Sequence, residues 1–250
     1  MRIDILTLFP KMFENVLGES IIKRARAKGL VKIEVYNLRD WTSDRHKTAD
    51  DKPFGGGPGM VMKIEPVYLA LKELKRGNPS AAPIRRGGGM KFSVENFRGH
   101  GPRVILLTPQ GRKLDQRIAK ELAREKRLIL ICGHYEGVDE RIRELADDEI
   151  SIGDYVLTCG EIPAMVLVDC VTRLIPGVLG DDESITDESF EGGLLEYPQY
   201  TRPAEYKAMK VPATLMSGDH KAIEEWRKTQ AFKRTARRRP DLLAGKDKSI

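Results

Sequence analysis

The sequence predicts an α/β protein, a parallel sheet with helical crossovers, followed by a small helical second domain. Residues 104–108 (VILLT) and 128–132 (LILIC) are unbroken apolar runs of strand length, the pattern of strands buried on both faces. Between them Asp115 stands where an N-cap belongs, ahead of Ile118, Ala119 and Leu122 on one helical face. Strand, helix, strand in that order is the unit of a parallel sheet. From residue 196 onward the chain turns basic, with 13 Lys/Arg against 7 Asp/Glu, and ends in helical spacing.

The remaining elements follow in chain order. Ile3, Ile5, Leu6 and Leu8 make a first strand that stops at Phe9-Pro10, residues 12–27 have helical spacing, and residues 31–36 alternate as a second strand. Pro163 fits the first turn of another helix, where its missing N–H is harmless, with Met165, Leu167, Val168 and Leu174 as its buried side and Ile175-Pro176-Gly177 as its end. Residues 180–195 carry six acids and no base. Asp219 then caps a last helix with Ile223, Trp226 and Phe232 as its apolar residues and Lys228, Lys233, Arg234 and Arg237 to Arg239 on its other sides. The expected domains are therefore 1–179, an acidic flexible linker 180–195, and a basic helical domain 196–250. Residues 77–103, rich in Gly, Pro and Arg, read as a mobile surface insertion.

Composition narrows the function classes. With 40% hydrophobic and 32% charged residues, the 250-residue chain reads as a soluble globular protein. No apolar run approaches the ~20 residues of a membrane span. The first residues show no secretory pattern, so the cytoplasm is the expected compartment. Cys132, Cys159 and Cys170 form neither a C-x-x-C pair nor an even set, so reduced buried thiols are expected, with no metal site. The net charge of +6 leaves room for an anionic partner without requiring one.

Three Gly-containing loops carry the candidate chemistry: Thr108-Pro109-Gln110-Gly111, Cys132-Gly133-His134-Tyr135-Glu136-Gly137 and residues 152–160 (IGDYVLTCG). Ligands of open α/β sheets gather at the carboxyl ends of strands, and three such loops favour a shared pocket. The run Pro53-Phe54-Gly55-Gly56-Gly57-Pro58-Gly59 is no Walker loop and no dinucleotide fingerprint. It is either a tight surface turn or a place where backbone approaches a bulky group. His134 has no second histidine nearby and reads as a pocket-edge residue.

Taken in order, these pieces resemble the bacterial tRNA (guanine-N1)-methyltransferases of the SPOUT class. The likeness runs from Leu8-Phe9-Pro10 to Arg238-Arg239-Pro240-Asp241. It rests on Asp44-Arg45-His46, the 55–60 glycine loop, Pro109-Gln110-Gly111-Arg112, residues 132–140, 152–157, Gly160-Glu161, 175–180 and Tyr200-Thr201-Arg202-Pro203. Two positions depart from the family's usual pattern: His134 replaces an Arg, and Thr158-Cys159-Gly160 replaces Ser-Gly-Gly.

The resemblance implies a deep trefoil knot in the first domain, a homodimer in which each partner completes the other's site, and S-adenosyl-L-methionine as methyl donor. Its donor contacts fall on Pro109, Gly133, Tyr135, Glu136, Ile152, Gly153, Tyr155, Leu157 and Gly160. The implied acceptor is N1 of guanosine 37 in tRNA, next to the anticodon, with Arg45, His46 and Asp50 in a substrate-touching loop. Because that N1 is protonated, a base is needed and charge develops on O6. The family's two groups for these tasks match Glu188 and Arg173. Participation of Mg²⁺ is left open, as is a choice between Glu188 and Asp187. A SPOUT enzyme with another acceptor, and an RNA-binding protein with a vestigial pocket, are the competing readings.

Overall fold

A computed structural model describes residues 1–77, 101–180 and 188–244, and the chain divides into two compact units, Met1–Leu179 and Gly180–Ile250. Most of the 77–103 segment and Asp187 lie outside the described residues. The first unit runs β1 (Arg2–Thr7), α1 (Glu14–Leu17), α2 (Ser20–Ala27), β2 (Lys32–Asn37), β3 (Asp50–Asp51), β4 (Val61–Met62), α3 (Ile64–Lys75), β5 (Arg103–Lys113), α4 (Gln116–Ala123), β6 (Arg127–Cys132), β7 (Asp148–Ser151) and α5 (Glu161–Thr172). Five strands form one parallel sheet in the order β2-β1-β6-β5-β7.

The apolar runs explain the central positions. Side chains alternate across a strand, so β6 sends Leu128, Leu130 and Cys132 into one layer and Ile129 and Ile131 into the other. Likewise β5 splits Ile105 and Leu107 from Val104 and Leu106. The first layer is completed by α2, α4 and α5, the second by Val67, Ala70, Leu71 and Leu74 of α3. Asp4 of β1 is fully buried, and guanidinium groups of Arg2 (2.9 Å) and Arg127 (2.7 Å) compensate its charge.

Local expectations hold where local chemistry decides. Asp115 caps α4 by accepting from the Ile118 N–H at 2.8 Å. Pro163 lies in the first turn of α5, whose buried residues include Ala164, Leu167, Val168 and Val171; Met165 is only partly buried and Leu174 falls beyond the helix. The helix expected over 12–27 is broken instead. A 3-10 turn (Pro10–Phe13) and α1 precede α2, because the chain turns at Gly18, where a Cβ would meet the Glu14 carbonyl at 2.7 Å, and at Ser20, with φ of 52°. Phe13, Leu17, Ile22 and Ala25 reach the core all the same.

The second unit contains the hairpin strands β8 (Glu205–Tyr206) and β9 (Met209–Lys210), then α6 (Ala213–Met216) and α7 (His220–Arg238). Asp219 caps α7 through the Lys221 and Ala222 N–H groups. On the packed side, Thr235 is fully buried, donates to Ala231 O (2.7 Å) and accepts from Leu195 N (2.8 Å). Residues 188–195 of the acidic stretch thus fold with this unit. Phe232 is a correction: it is exposed, because it lies off the stripe formed by Ile223, Trp226, Ala231 and Thr235. Lys233, Arg237 and Arg238 are exposed as well.

Candidate active site

The carboxyl ends of β5, β6 and β7 meet at one cleft, the place where ligands of open α/β sheets gather. Its floor is apolar, from Leu106, Leu107 and Ile150. The first loop exists because β5 bulges: its pairing with β7 jumps from Leu107 to Arg112, which throws Thr108, Pro109, Gln110 and Gly111 out of the ladder. Gly111 fits there because a Cβ would sit 2.4 Å from the Glu149 backbone. Arg143 donates to the Gln110 side chain at 2.6 Å and also pairs with Glu149, so the bulge is held from behind.

The second loop places Gly133, Tyr135 and Glu136 on the wall. Tyr135 adopts φ of 65°, a conformation that a bulky side chain takes only when its surroundings impose it. Those surroundings are β3, β4 and the glycine loop between them. Glu136 N donates to Met60 O (3.1 Å), Met62 N to Gly137 O (3.0 Å), and Asp139 N to Met62 O (2.9 Å). Gly59, at φ of 80°, lies so close to the Glu136 side chain that a Cβ would be 2.2 Å from its Cγ. Close backbone approach therefore holds at Gly59, whereas Gly55, Gly56 and Gly57 are exposed with positive φ and have open space around them, as in a surface turn.

The third loop supplies Ile152, Gly153, Tyr155, Leu157 and Gly160. The Tyr155 ring covers Gly153, leaving no room for a Cβ, and Ser151 Oγ donates to Gly153 O at 2.9 Å. Gly160 N donates to Gly133 O at 2.7 Å, tying this loop to the second. All nine residues expected to touch a methyl donor therefore line one cleft.

Sequence comparison bears on what such a cleft is for. The profile described as tRNA (Guanine-1)-methyltransferase TrmD matches residues 1–245. The chain belongs to that family. It is 55% identical over 244 residues to the tRNA (guanine-N(1)-)-methyltransferase of Geotalea uraniireducens, covering 97% of this chain and 90% of the relative. The enzymes so named from Moorella thermoacetica (54% identity; 98% and 90% covered) and Ruminiclostridium cellulolyticum (53%; 97% and 96%) are similar to the same extent. This member of the tRNA (guanine-1)-methyltransferases is an enzyme of methyl transfer.

The other expected site residues fall in four places. Arg45 and His46 are exposed in the turn after the 3-10 helix Leu38–Trp41, a turn organised by Asp44, which accepts from His46 N, Thr48 N and Thr48 Oγ1. The Thr48 hydroxyl and N–H hold the Asp44 carboxyl below the usual range. Asp50 is nearer the cleft, hydrogen-bonded to the Tyr135 hydroxyl; burial first, and then Asp50, push that phenol above the usual tyrosine value. Arg173 ends α5, partly buried. Glu188 belongs to the second unit, in a groove with Tyr197, Arg227 and Lys228.

Sequence reasoning missed a cluster at the edge of the cleft. His134, expected to stand alone, lies beside Cys159 and Glu161. Burial pushes the nearby Cys132 thiol well up, with Glu161 and Cys159 adding to the effect. Of the three cysteines, Cys132 and Cys159 are buried and Cys170 partly so. Among the described residues, no helix is long and apolar enough to cross a membrane.

Proposed function

We propose that this chain transfers the methyl group of S-adenosyl-L-methionine to N1 of guanosine 37 in tRNA. The observation that carries the reading is the match to the guanine-1 methyltransferase family over residues 1–245, with relatives bearing that activity in their names at 52–55% identity. The cleft supports the donor: apolar walls suit an adenine ring, and Gly133 and Gly160 leave backbone bare where a side chain would intrude. When bound, the donor supplies an electrophilic methyl on a sulfonium, which needs no activation.

The chain's own residues then have two tasks. Glu188 takes the N1 proton, and Arg173 donates charge-assisted hydrogen bonds to O6, where the negative charge develops. We read Pro109, Gly133, Tyr135, Glu136, Ile152, Gly153, Tyr155, Leu157 and Gly160 as the donor cradle, and Arg45, His46 and Asp50 as contacts to tRNA. Residues 1–179 act as a knotted catalytic domain, residues 180–195 as the segment that brings the base, and residues 196–250 as a basic grip on the anticodon stem, with Lys233, Arg237 and Arg238 facing phosphates. Phe9, Met12 and Val16, and Ile162 and Val166 of α5, which packs on the Pro10–Phe13 turn, are exposed apolar side chains available to a second copy. The cytoplasm, where tRNA is modified, is the compartment this reading requires.

Incubation with labelled donor and transcripts carrying G or A at position 37, with and without Mg²⁺, tests the proposal. Label is expected on N1 of G37 only. Equal labelling of the A37 transcript overturns it.

A further inference from the structure

His134 follows β6, Cys159 precedes α5, and Glu161 is the first residue of α5. One ligand atom from each, an imidazole nitrogen, the thiol sulfur and a carboxylate oxygen, lie within 4.8 Å of one another. Glu161 is fully buried, and Cys159 is only 9% exposed. Thr7 Oγ1 donates to Glu161 Oε1 at 2.5 Å, but Oε2 is buried and has no hydrogen-bond partner, and neither has the buried His134 Nδ1. A buried polar atom left without a partner loses its hydration for nothing in return. Two of them, on two residues of one cluster that also holds a thiol, mark a place suited to something that accepts lone pairs.

We propose that His134, Cys159 and Glu161 form a three-ligand site for a borderline-soft divalent cation of the zinc class. The donor set decides the class. Thiolate, imidazole and carboxylate are the ligands of Zn²⁺, whereas Mg²⁺ and Ca²⁺ take oxygen almost alone. Metal–ligand distances of about 2.0–2.3 Å put tetrahedral ligand atoms roughly 3.5 Å apart, so separations within the trio shorten by up to about 1.3 Å around the ion. His134 and Cys159, both outside regular elements, can make that movement while Glu161 stays fixed on α5. The supports are present too. Thr7 orients the carboxylate, the Phe9 ring stands 4.9 Å from the imidazole, and the Gly160–Gly133 hydrogen bond holds the two ligand-bearing segments together. Three protein ligands leave a fourth position open, at the edge of the cleft that His134 and Cys159 also line.

The test is a Co²⁺ titration of the full chain, with no donor or tRNA present, so that its failure leaves the methyl-transfer reading standing. Expected are the visible bands of tetrahedral Co²⁺ and a near-ultraviolet thiolate-to-cobalt band, saturating at one ion per chain, bleached by Zn²⁺ and indifferent to excess Mg²⁺. Cys159→Ser, which keeps the size of the side chain, should abolish the thiolate band, and Cys170→Ser should retain it. Changes in the outer shell alone typically weaken metal sites about 10–100-fold, so His134→Ala should weaken binding at least about tenfold. Absence of the bands from the wild-type chain, or a thiolate band that survives Cys159→Ser, overturns the site.

Discussion

Guanine N1 holds a proton at neutral pH, so turnover depends on the group that removes it and the group that meets the charge left on O6. Loss of one oxyanion-stabilising donor costs on the order of a hundredfold, and loss of a positioned general base about a hundredfold to ten-thousandfold. Arg173→Ala and Glu188→Gln should therefore each slow single-turnover methylation by those amounts while donor affinity hardly moves. Asp187→Asn should stay near wild type; if it carries the loss instead, the base is Asp187. Tyr135 allows a second test. Its phenol ionises above the ordinary tyrosine value near 10 because burial, and then the bond to Asp50, disfavour the phenolate, with Arg39 opposing. The stability linked to this group is fully present below the ordinary value and is lost as pH rises through the raised one. An absorbance titration of wild type minus Tyr135→Phe should show a late transition, and Asp50→Asn should bring it earlier. A transition at or below the ordinary value means that the Asp50–Tyr135 link is absent.

Elements matter here chiefly through their ends. The loops after β5, β6 and β7 meet because glycine lets backbone touch backbone, and Gly160 is the sharpest case. A Cβ there would lie 2.6 Å from Gly133 N and 2.8 Å from Cys132 Cα, atoms that cannot swing aside, while its φ of −83° suits any residue. Gly160→Ala is thus a purely steric change. Overpacking of this kind costs about 1–3 kcal/mol, and the displaced α5 start should also weaken donor binding. Gly180→Ala, which meets nothing within 4 Å, is the control. Denaturant melts in which the two variants are equally stable would show that the 133 and 160 loops are not in backbone contact.

For the whole molecule, the exposed apolar side chains of Ile162 and Val166 on α5, and of Phe9, Met12 and Val16, lead to a prediction about assembly. A charge placed in such a face opposes its burial against a second copy. If each partner completes the other's site, as proposed, the wild-type chain should sediment as a dimer at micromolar concentration, and Val166→Glu as a folded monomer with little activity. A monomeric wild-type chain, or an active monomeric variant, removes the homodimer from the reading.

What the sequence determined by itself is what neighbouring residues decide together. The buried runs of β5 and β6, the caps Asp115 and Asp219, Pro163 in its first turn and the Gly-bearing loops at strand ends were all legible. Each depends on alternation, helical spacing or a side chain reaching its own backbone two or three residues on. Tertiary structure decided the rest. The helical spacing of 12–27 gave no sign of the break around Gly18, and α3 drew no prediction even though Val67, Ala70, Leu71 and Leu74 carry the signal of a buried face. Phe232 was assigned to the wrong side of α7, since apolar character alone does not say which stripe a neighbour will cover. The strand order, with β6 between β1 and β5, is a matter of which apolar faces match across long loops, and no local pattern encodes it. For the same reason His134 read as solitary: Cys159 and Glu161 reach it only once β6 and α5 are packed side by side, with Gly160 small enough to let them close.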